Sequence, residues 1–158
     1  MNMRSVGISI LPALLAVVAM GGCAGTSPAP TATPGVDLPT SITVSLGIYS
    51  GRVDPSWDLT EAEIAQVATA IAALPLASAR PPEGGLGYRG FSLLMRWPGR
   101  ADETLIAYRG AVAAPGVGAR SVFVDEGRTI ERLLLDTGRP VLDANEVAAV
   151  DADLAVAP

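Results

Sequence analysis

The side chains that could do chemistry form a short list in this chain of 158 residues, because it contains no histidine and a single cysteine, Cys23. Without histidine, neither a Ser-His-Asp nor a Cys-His nucleophile can be assembled, and the common zinc sites lose a usual ligand. Carboxylates, hydroxyls and arginines remain for catalysis or binding. The sequence therefore predicts no catalytic residue, no metal site and no cofactor.

A group of carboxylates lies close together in sequence and suggests acid–base chemistry or a calcium site: Asp54, Asp58, Glu61 and Glu63. Simpler roles account for them, since Asp54-Pro55 is typical of a turn and acidic residues suit the first turn of a helix. The spacing also departs from the D-x-[DN]-x-[DN]-G calcium loop. We expect structural roles, and an envelope enzyme that uses these carboxylates stays an alternative.

Two segments combine cationic and aromatic side chains: S-G-R-V-D-P-S-W at residues 50–57 and G-L-G-Y-R-G at residues 85–90. If the two meet, they form a concave site for a carboxylate, a sugar or a peptide. That candidate surface consists of Arg52, Asp54, Trp57, Tyr88 and Arg89. In the alternative interpretation, Trp57 fills the joint between helix and sheet, and Arg52 pairs with Asp54 or caps carbonyls.

The same two elements, S-G-R-x-x-P-x-W and G-L-G-Y-R-G, carry a resemblance. The chain is similar to a loosely defined set of small, uncharacterised bacterial proteins over about residues 45–97. This resemblance implies no mechanism. The glycines of the second element precede a predicted strand and follow a proline-rich loop, which is not the context of a phosphate-binding Rossmann or P-loop signature.

The amino-terminal 23 residues have the layout of a secretory leader. Arg4 precedes an uncharged apolar run, Val6 to Met20, and then Gly21-Gly22-Cys23. Such a run is shorter than the roughly 20 residues that a membrane-spanning helix needs. A positive start, a short apolar region and small residues before the cut are typical of signal peptides. An ordinary secreted protein and an uncleaved membrane anchor are the alternatives to the interpretation that follows.

Small residues directly before the only cysteine resemble the lipobox of bacterial lipoproteins. In that family the cysteine thiol receives a diacylglycerol, the peptide is cut in front of the cysteine, and the new amino terminus is often acylated. The resemblance implies that residues 1–22 are a signal peptide and that Cys23 is lipidated. It also implies a location at the cell membrane, on its extracytoplasmic face, because two or more acyl chains give stable anchoring.

Charge excludes one class of partner. Once residues 1–22 are removed, 10 arginines and no lysine stand against 16 acidic residues, which gives a net charge near −6. A nucleic-acid-binding protein needs a positive field instead. No polybasic patch for anionic lipid is present either, so the acyl chains are the only predicted membrane contact. We expect a monomeric domain.

The composition divides the chain into segments. Residues 24–35 are small, uncharged and rich in proline, and such a segment cannot bury enough apolar area to order itself. We predict a lipidated, disordered tether over residues 23–40, a single domain over 41–150 and a frayed tail over 151–158. The connection at residues 75–90 is long for a compact domain, so we expect it to be mobile or functional.

Apolar periodicity predicts the elements of the domain. Alternation indicates strands that begin at Ser41 and Phe91, and two further strands over residues 104–112 and 120–125. Capping boxes at Thr60/Glu63 and Asp143/Glu146 indicate helix starts, and a further helix is expected over 128–137. Ile130, Leu133 and Leu134 should face inward there. The predicted fold is α+β, with an antiparallel sheet of about four strands in the order β-α-β-β-β-α and helices packed on one face.

These observations favour a non-catalytic binding or interaction domain held at the membrane by its lipid anchor. Its partner would be an envelope protein or a small ligand. An inhibitor or immunity-like module is an alternative, with residues 75–90 acting as an inserted strand or wedge. The envelope enzyme described above is the second alternative.

Overall fold

The computed structural model describes residues 37–77, 87–115 and 122–156. These residues form seven strands and three helices: β1 (Ser41–Leu46), β2 (Ser56–Asp58), α1 (Glu61–Ala72), β3 (Leu76–Ala77), β4 (Phe91–Arg96), β5 (Glu103–Tyr108), β6 (Ala111–Ala113), β7 (Val122–Val124), α2 (Thr129–Gly138) and α3 (Ala144–Leu154). The strands make one sheet in the order β2-β1-β4-β5-β6-β7-β3. Every strand pairing in it is antiparallel.

The predicted α+β class is confirmed, but the prediction of about four strands was wrong, since the sheet has seven. Two of the missed strands, β2 and β3, have three and two residues, too few for an alternation to be read. The predicted strand over 104–112 is in fact two strands, β5 and β6, joined at Arg109-Gly110. Both turn residues have positive φ, 46° and 75°, as in a type I′ hairpin turn.

The core lies on the side of the sheet to which the alternating apolar residues of the central strands point. Ile42, Val44 and Leu46 of β1 are fully buried, and the β4 residues that pair with them are Met95, Leu93 and Phe91. The helices add further buried side chains, Val67, Ile71, Ile130, Leu134 and Val150, to the same apolar cluster. This is the half-buried strand pattern that the sequence predicts.

Helices α1 and α3 begin where predicted. Each has a complete capping box, made by Thr60 with Glu63 and by Asp143 with Glu146. The prediction for α2 needs a correction, because the buried positions on it are Ile130, Glu131, Leu134, Leu135 and Gly138, while Leu133 is only partly buried. The inward face therefore includes a carboxylate that the apolar pattern did not indicate.

Both predicted boundaries of the domain also need correction. Pro39 is buried, and the Thr40 amide and hydroxyl donate to the Arg96 carbonyl, so order begins before residue 41. The predicted frayed tail is wrong for its first residues, because α3 continues through Leu154, whose side chain is 4% exposed in the core. Cys23, the predicted signal peptide, the predicted tether up to residue 36 and residues 78–86 of the long connection lie outside the described residues.

No helix within residues 37–77, 87–115 and 122–156 has the length and apolar character to cross a bilayer.

Strand pairing fixes which loops share an end of the sheet. Ser41 at the start of β1 pairs with Arg96 at the end of β4, so residues 37–40 enter beside the β4–β5 turn. At the other end, the Gly47 amide donates to the Gly90 carbonyl over 2.9 Å, and the Arg89 amide donates to the Gly47 carbonyl over 2.7 Å. We call these the entry end and the distal end. A six-residue strand separates them by about 17 Å.

Gly90 offers a test of this packing. Its φ is +90°, and an added Cβ would lie 2.7 Å from the Tyr108 Cβ; Gly99 also has positive φ, +72°, but open space around it. We expect both alanine substitutions to lose about 1–2 kcal/mol to backbone strain. Gly90→Ala should lose roughly a further 1–3 kcal/mol through overlap. Denaturant unfolding of both variants measures the difference, and equal losses would contradict this packing.

Candidate functional site

The structure brings together three of the five candidate residues. Arg52, Asp54 and Arg89 meet at the distal end of the sheet, on the loops that follow β1 and precede β4. The other two, Trp57 and Tyr88, point into the core and are 8% and 9% exposed. The candidate surface is thus cationic and acidic, and the two aromatic rings do not line an open site.

Asp54 fixes the shape of the distal loop. One carboxylate oxygen accepts the amides of Ile48 and Tyr49, at 3.0 and 2.8 Å, and the other accepts Nη2 of Arg89 at 3.0 Å. The same Nη2 donates to the Tyr49 carbonyl over 2.8 Å. An aspartate that accepts backbone amides is a common way to hold a turn. Arg89 therefore ties the segment before β4 to the loop after β1.

Arg52 lies across an aromatic ring. Its guanidinium carbon is 3.3 Å from the centroid of the Tyr49 ring, a cation–π contact. The Tyr49 hydroxyl donates to Oε1 of Glu146 over 2.6 Å, and that oxygen is 4.0 Å from Nη2 of Arg52. The amino-terminal end of α3 thus supports the ring on which Arg52 rests. We call Tyr49, Arg52, Asp54, Arg89 and Glu146 the distal cluster.

Trp57 fills the joint between the sheet and α2, as the alternative interpretation of the sequence expected. Its indole Nε1 donates to the Thr137 hydroxyl over 3.1 Å, and its ring meets Phe91 edge-on at 6.2 Å. Gly138 has no side chain at the point of closest approach, where a Cβ would lie 2.6 Å from the ring. Trp57 is therefore a packing residue of the core.

Tyr88 belongs to a hydrogen-bonded group beneath the distal cluster. Its hydroxyl donates to Oε2 of Glu131 over 2.6 Å, and its ring packs edge-on against Phe91 and Tyr108. Glu131 is 1% exposed and also accepts the Gly110 amide over 3.1 Å. A carboxylate this deep in the core needs a positive charge beside it.

Arg128 supplies that charge. Its Nε and Nη2 bind both oxygens of Glu131 at 2.9 Å, and Nη2 also donates to the Asp153 carboxylate over 2.6 Å. Its Nη1 donates to the carbonyls of Asp153 and Val156, so all five guanidinium hydrogens have acceptors. We call Tyr88, Gly110, Arg128, Glu131 and Asp153 the buried network.

The protonation states follow from these contacts. Burial, reinforced by the Glu131 carboxylate, raises the pKa of Tyr88 well above its ordinary value of 10.0. The hydrogen bond to Glu146 raises the pKa of Tyr49, and the hydrogen bond to Glu131 raises the pKa of Arg128. Both phenols and the buried guanidinium are therefore hydrogen-bond donors at neutral pH. The tyrosines remain neutral, which suits structural contacts and not proton transfer.

Small cavities lie at two places among the described residues. One lies between α2 and α3, and one lies at the entry end against Trp97 and Arg100. Each has a volume of about 150 Å³. Pockets for small organic ligands are usually about 300–1,000 Å³, so neither matches that class. The described residues also contain no group of histidine, cysteine and carboxylate side chains that could hold a metal ion.

Sequence reasoning missed Tyr49, Val53 and Glu146 at the distal end. Tyr49 continues the alternation of β1 in the sequence, and the capping box alone accounts for Glu146. Val53 is 91% exposed, which no sequence pattern indicates. The spacing of Arg128 and Glu131, one helical turn apart, was the one available sign of the buried network.

No protein-family model, curated protein or solved structure matches the chain. The geometry of the distal cluster and the amino-terminal sequence are therefore the features that indicate a function.

The buried network makes a prediction about stability. Glu131→Leu leaves Arg128 buried without its main partner, which should cost about 3–5 kcal/mol. Adding Arg128→Met removes a buried guanidinium that would keep the Asp153 carboxylate but lose both Glu131 acceptors, so the double variant should be more stable than Glu131→Leu alone. Denaturant unfolding measures both. Arg139→Ala, which removes an exposed guanidinium paired with Asp136, is the control and should change little. Losses that simply add in the double variant would refute the coupling.

Proposed function

We propose that the chain is a bacterial lipoprotein, anchored through Cys23 to the extracytoplasmic face of the cell membrane. Its domain acts as a binding module that presents the distal cluster to an envelope partner. The observation that carries this proposal is that the two ends of the sheet hold different features. Residues 37–40 enter at one end, and Arg52 and Arg89 lie at the other.

The difference between the two ends matters because the proposed lipid anchor is joined to the domain at the entry end. A lipid on Cys23 is joined to the domain through residues 24–36, whose prolines favour an extended chain of about 3.1 Å per residue. The span is up to roughly 40 Å, so the domain can stand clear of the headgroups. An attachment at the entry end puts the distal cluster at the opposite end of β1 from the point where the tether would join the domain.

The chemistry of the distal cluster supports binding more than catalysis. Its carboxylates are committed to structural contacts: Asp54 accepts two amides and Arg89, while Glu146 accepts Tyr49 and caps α3. A general base needs a free lone pair directed at a substrate. The exposed groups that remain are two guanidiniums and Val53, and arginine and tyrosine are frequent anchors of protein interfaces.

The anchor is tested by replacing the cysteine. In a bacterial host that processes lipoproteins, we expect the wild-type chain to be recovered with membranes. Its intact mass should correspond to residues 23–158 plus a diacylglycerol or more. Cys23→Ala should lose the acyl mass and leave the membrane fraction, whereas Met20→Leu, which moves the cut region toward the usual lipobox residue, should keep both. Wild-type protein with its leader, or with no fatty-acid increment, would refute the anchor.

The binding surface is tested by photo-crosslinking in cells. A photoreactive residue at Val53, which is 91% exposed at the distal end, should give a discrete adduct. The same residue at Arg100, exposed at the entry end, is the matched control and should not give that adduct. An adduct common to both positions, or none from position 53, would contradict a partner at the distal cluster.

A further inference from the structure

The two arginines of the distal cluster, Arg52 and Arg89, differ in their contacts. Arg89 donates to Asp54 and to the Tyr49 carbonyl, whereas Arg52 makes no hydrogen bond to the residues that the structure describes. Its side chain is 63% exposed, stacks 3.3 Å above the Tyr49 ring and lies 4.0 Å from the Glu146 carboxylate. We infer that Arg52 is a preformed receptor for a carboxylate, carried by an acidic and partly apolar peptide segment of a partner protein.

Within residues 37–77, 87–115 and 122–156, the stacked arrangement leaves the donors of Arg52 available. A ring against one face of a guanidinium does not use its N–H groups, which lie in the guanidinium plane. Glu146 does not use them either, because its Oε1 is 4.0 Å away and already accepts the Tyr49 hydroxyl, while its Oε2 accepts the Asp143 amide. The planar fork of donors matches the two oxygens of a carboxylate.

The support under Arg52 is held by several independent contacts. The Tyr49 ring is fixed at its hydroxyl by Glu146, and the Tyr49 amide and carbonyl are fixed by Asp54 and Arg89. A receptor whose groups are ordered before binding loses less conformational entropy when the ligand arrives. Arg52 therefore stacks on a ring that is itself fixed at several points, although most of the Arg52 side chain is in water.

Local charge selects among anions. The two guanidiniums of the distal cluster are balanced by Asp54 and Glu146, and the domain as a whole is acidic. Such a surface has no general positive field for a phosphate dianion or a nucleic-acid backbone. One carboxylate can still form two parallel hydrogen bonds with Arg52. Selectivity then comes from donor geometry and not from net charge.

Val53 indicates that the carboxylate belongs to a peptide. It follows Arg52 directly and is 91% exposed, so an apolar side chain next to the carboxylate would cover it. Small free anions would leave Val53 in water and gain nothing from it. We therefore assign the site to a peptide segment in which a glutamate or aspartate adjoins a leucine-like residue.

The test uses the full chain in detergent micelles and three short peptides, acetylated and amidated at their ends. They carry a central glutamate, glutamine or phosphoserine between leucines. The Nε–H resonance of Arg52 and the peptide dissociation constants are the measurements. We expect the glutamate peptide to shift that resonance and to bind about tenfold more tightly than the glutamine peptide. Arg52→Lys should weaken binding of the glutamate peptide about tenfold, since lysine keeps the charge but lacks the planar set of donors and the stacking on the ring.

Arg100→Lys is the matched control. Arg100 also stacks on an aromatic ring, 3.6 Å from the Trp97 centroid, but it lies at the entry end and should not affect binding. A further variant, Tyr49→Leu, should weaken binding of the glutamate peptide, while circular dichroism shows that the fold is intact. Equal losses from Arg52→Lys and Arg100→Lys, tighter binding of the phosphoserine peptide, or no shift at Arg52 would each overturn the inference.

This inference rests on the proposed function, because it specifies the partner chemistry at the same cluster. The two can fail separately. Peptide binding in micelles needs no acyl chain, so an unlipidated Cys23 would refute the anchor and leave the titration valid. Conversely, a lipidated protein that ignores the glutamate peptide would refute the carboxylate receptor alone.

Discussion

A guanidinium buried under the distal end of the sheet holds the domain together there. Arg128 is 2% exposed, yet each of its five N–H groups has an acceptor, and these acceptors come from α2 and from the end of α3. Glu131 extends the connection to Tyr88 before β4 and to Gly110 between β5 and β6. Removing two charges from water is costly unless such hydrogen bonds are complete. Because they are complete here, four separate segments are held in one arrangement.

The distal cluster depends on that arrangement through adjacent residues. Tyr88 points inward to the buried network, and its neighbour Arg89 points outward to Asp54. Gly87 and Gly90, on either side of the pair, both have positive φ, which lets the chain turn sharply before β4 begins. This accounts for the G-Y-R-G sequence in physical terms. Arg89, a residue of the proposed binding surface, is thus positioned by a core interaction one residue away.

Sequence reasoning succeeded where a single local cause determines the structure. β1 and β4 each have six residues with clear alternation, and the two capping boxes fix the helix starts at Thr60 and Asp143. Sequence reasoning failed where contacts between residues far apart in sequence determine the structure. β2 exists because β1 offers it an edge, and the burial of Glu131 requires Arg128 in a left-handed conformation, with φ 52°. For the candidate site, the two arginines and Asp54 could be predicted from composition and position. The inward direction of Trp57 and Tyr88 could not be predicted, because a loop or a very short strand has no regular alternation from which to tell which side chains face the core.

A shallow binding site is consistent with a domain that is held close to its partner by an anchor. An exposed ion pair typically contributes about 1 kcal/mol or less and a bidentate arginine–carboxylate pair somewhat more, and the cavities of about 150 Å³ among the described residues add no deep pocket. A soluble protein with such a site would bind its partner weakly. If Cys23 carries lipid and the partner lies in the same envelope, confinement raises the effective concentration toward the millimolar range that flexible linkers produce. Under that condition a weak contact is sufficient: in the proposed function, the exposed Arg52 would select the partner and the lipid anchor would keep the two proteins close together.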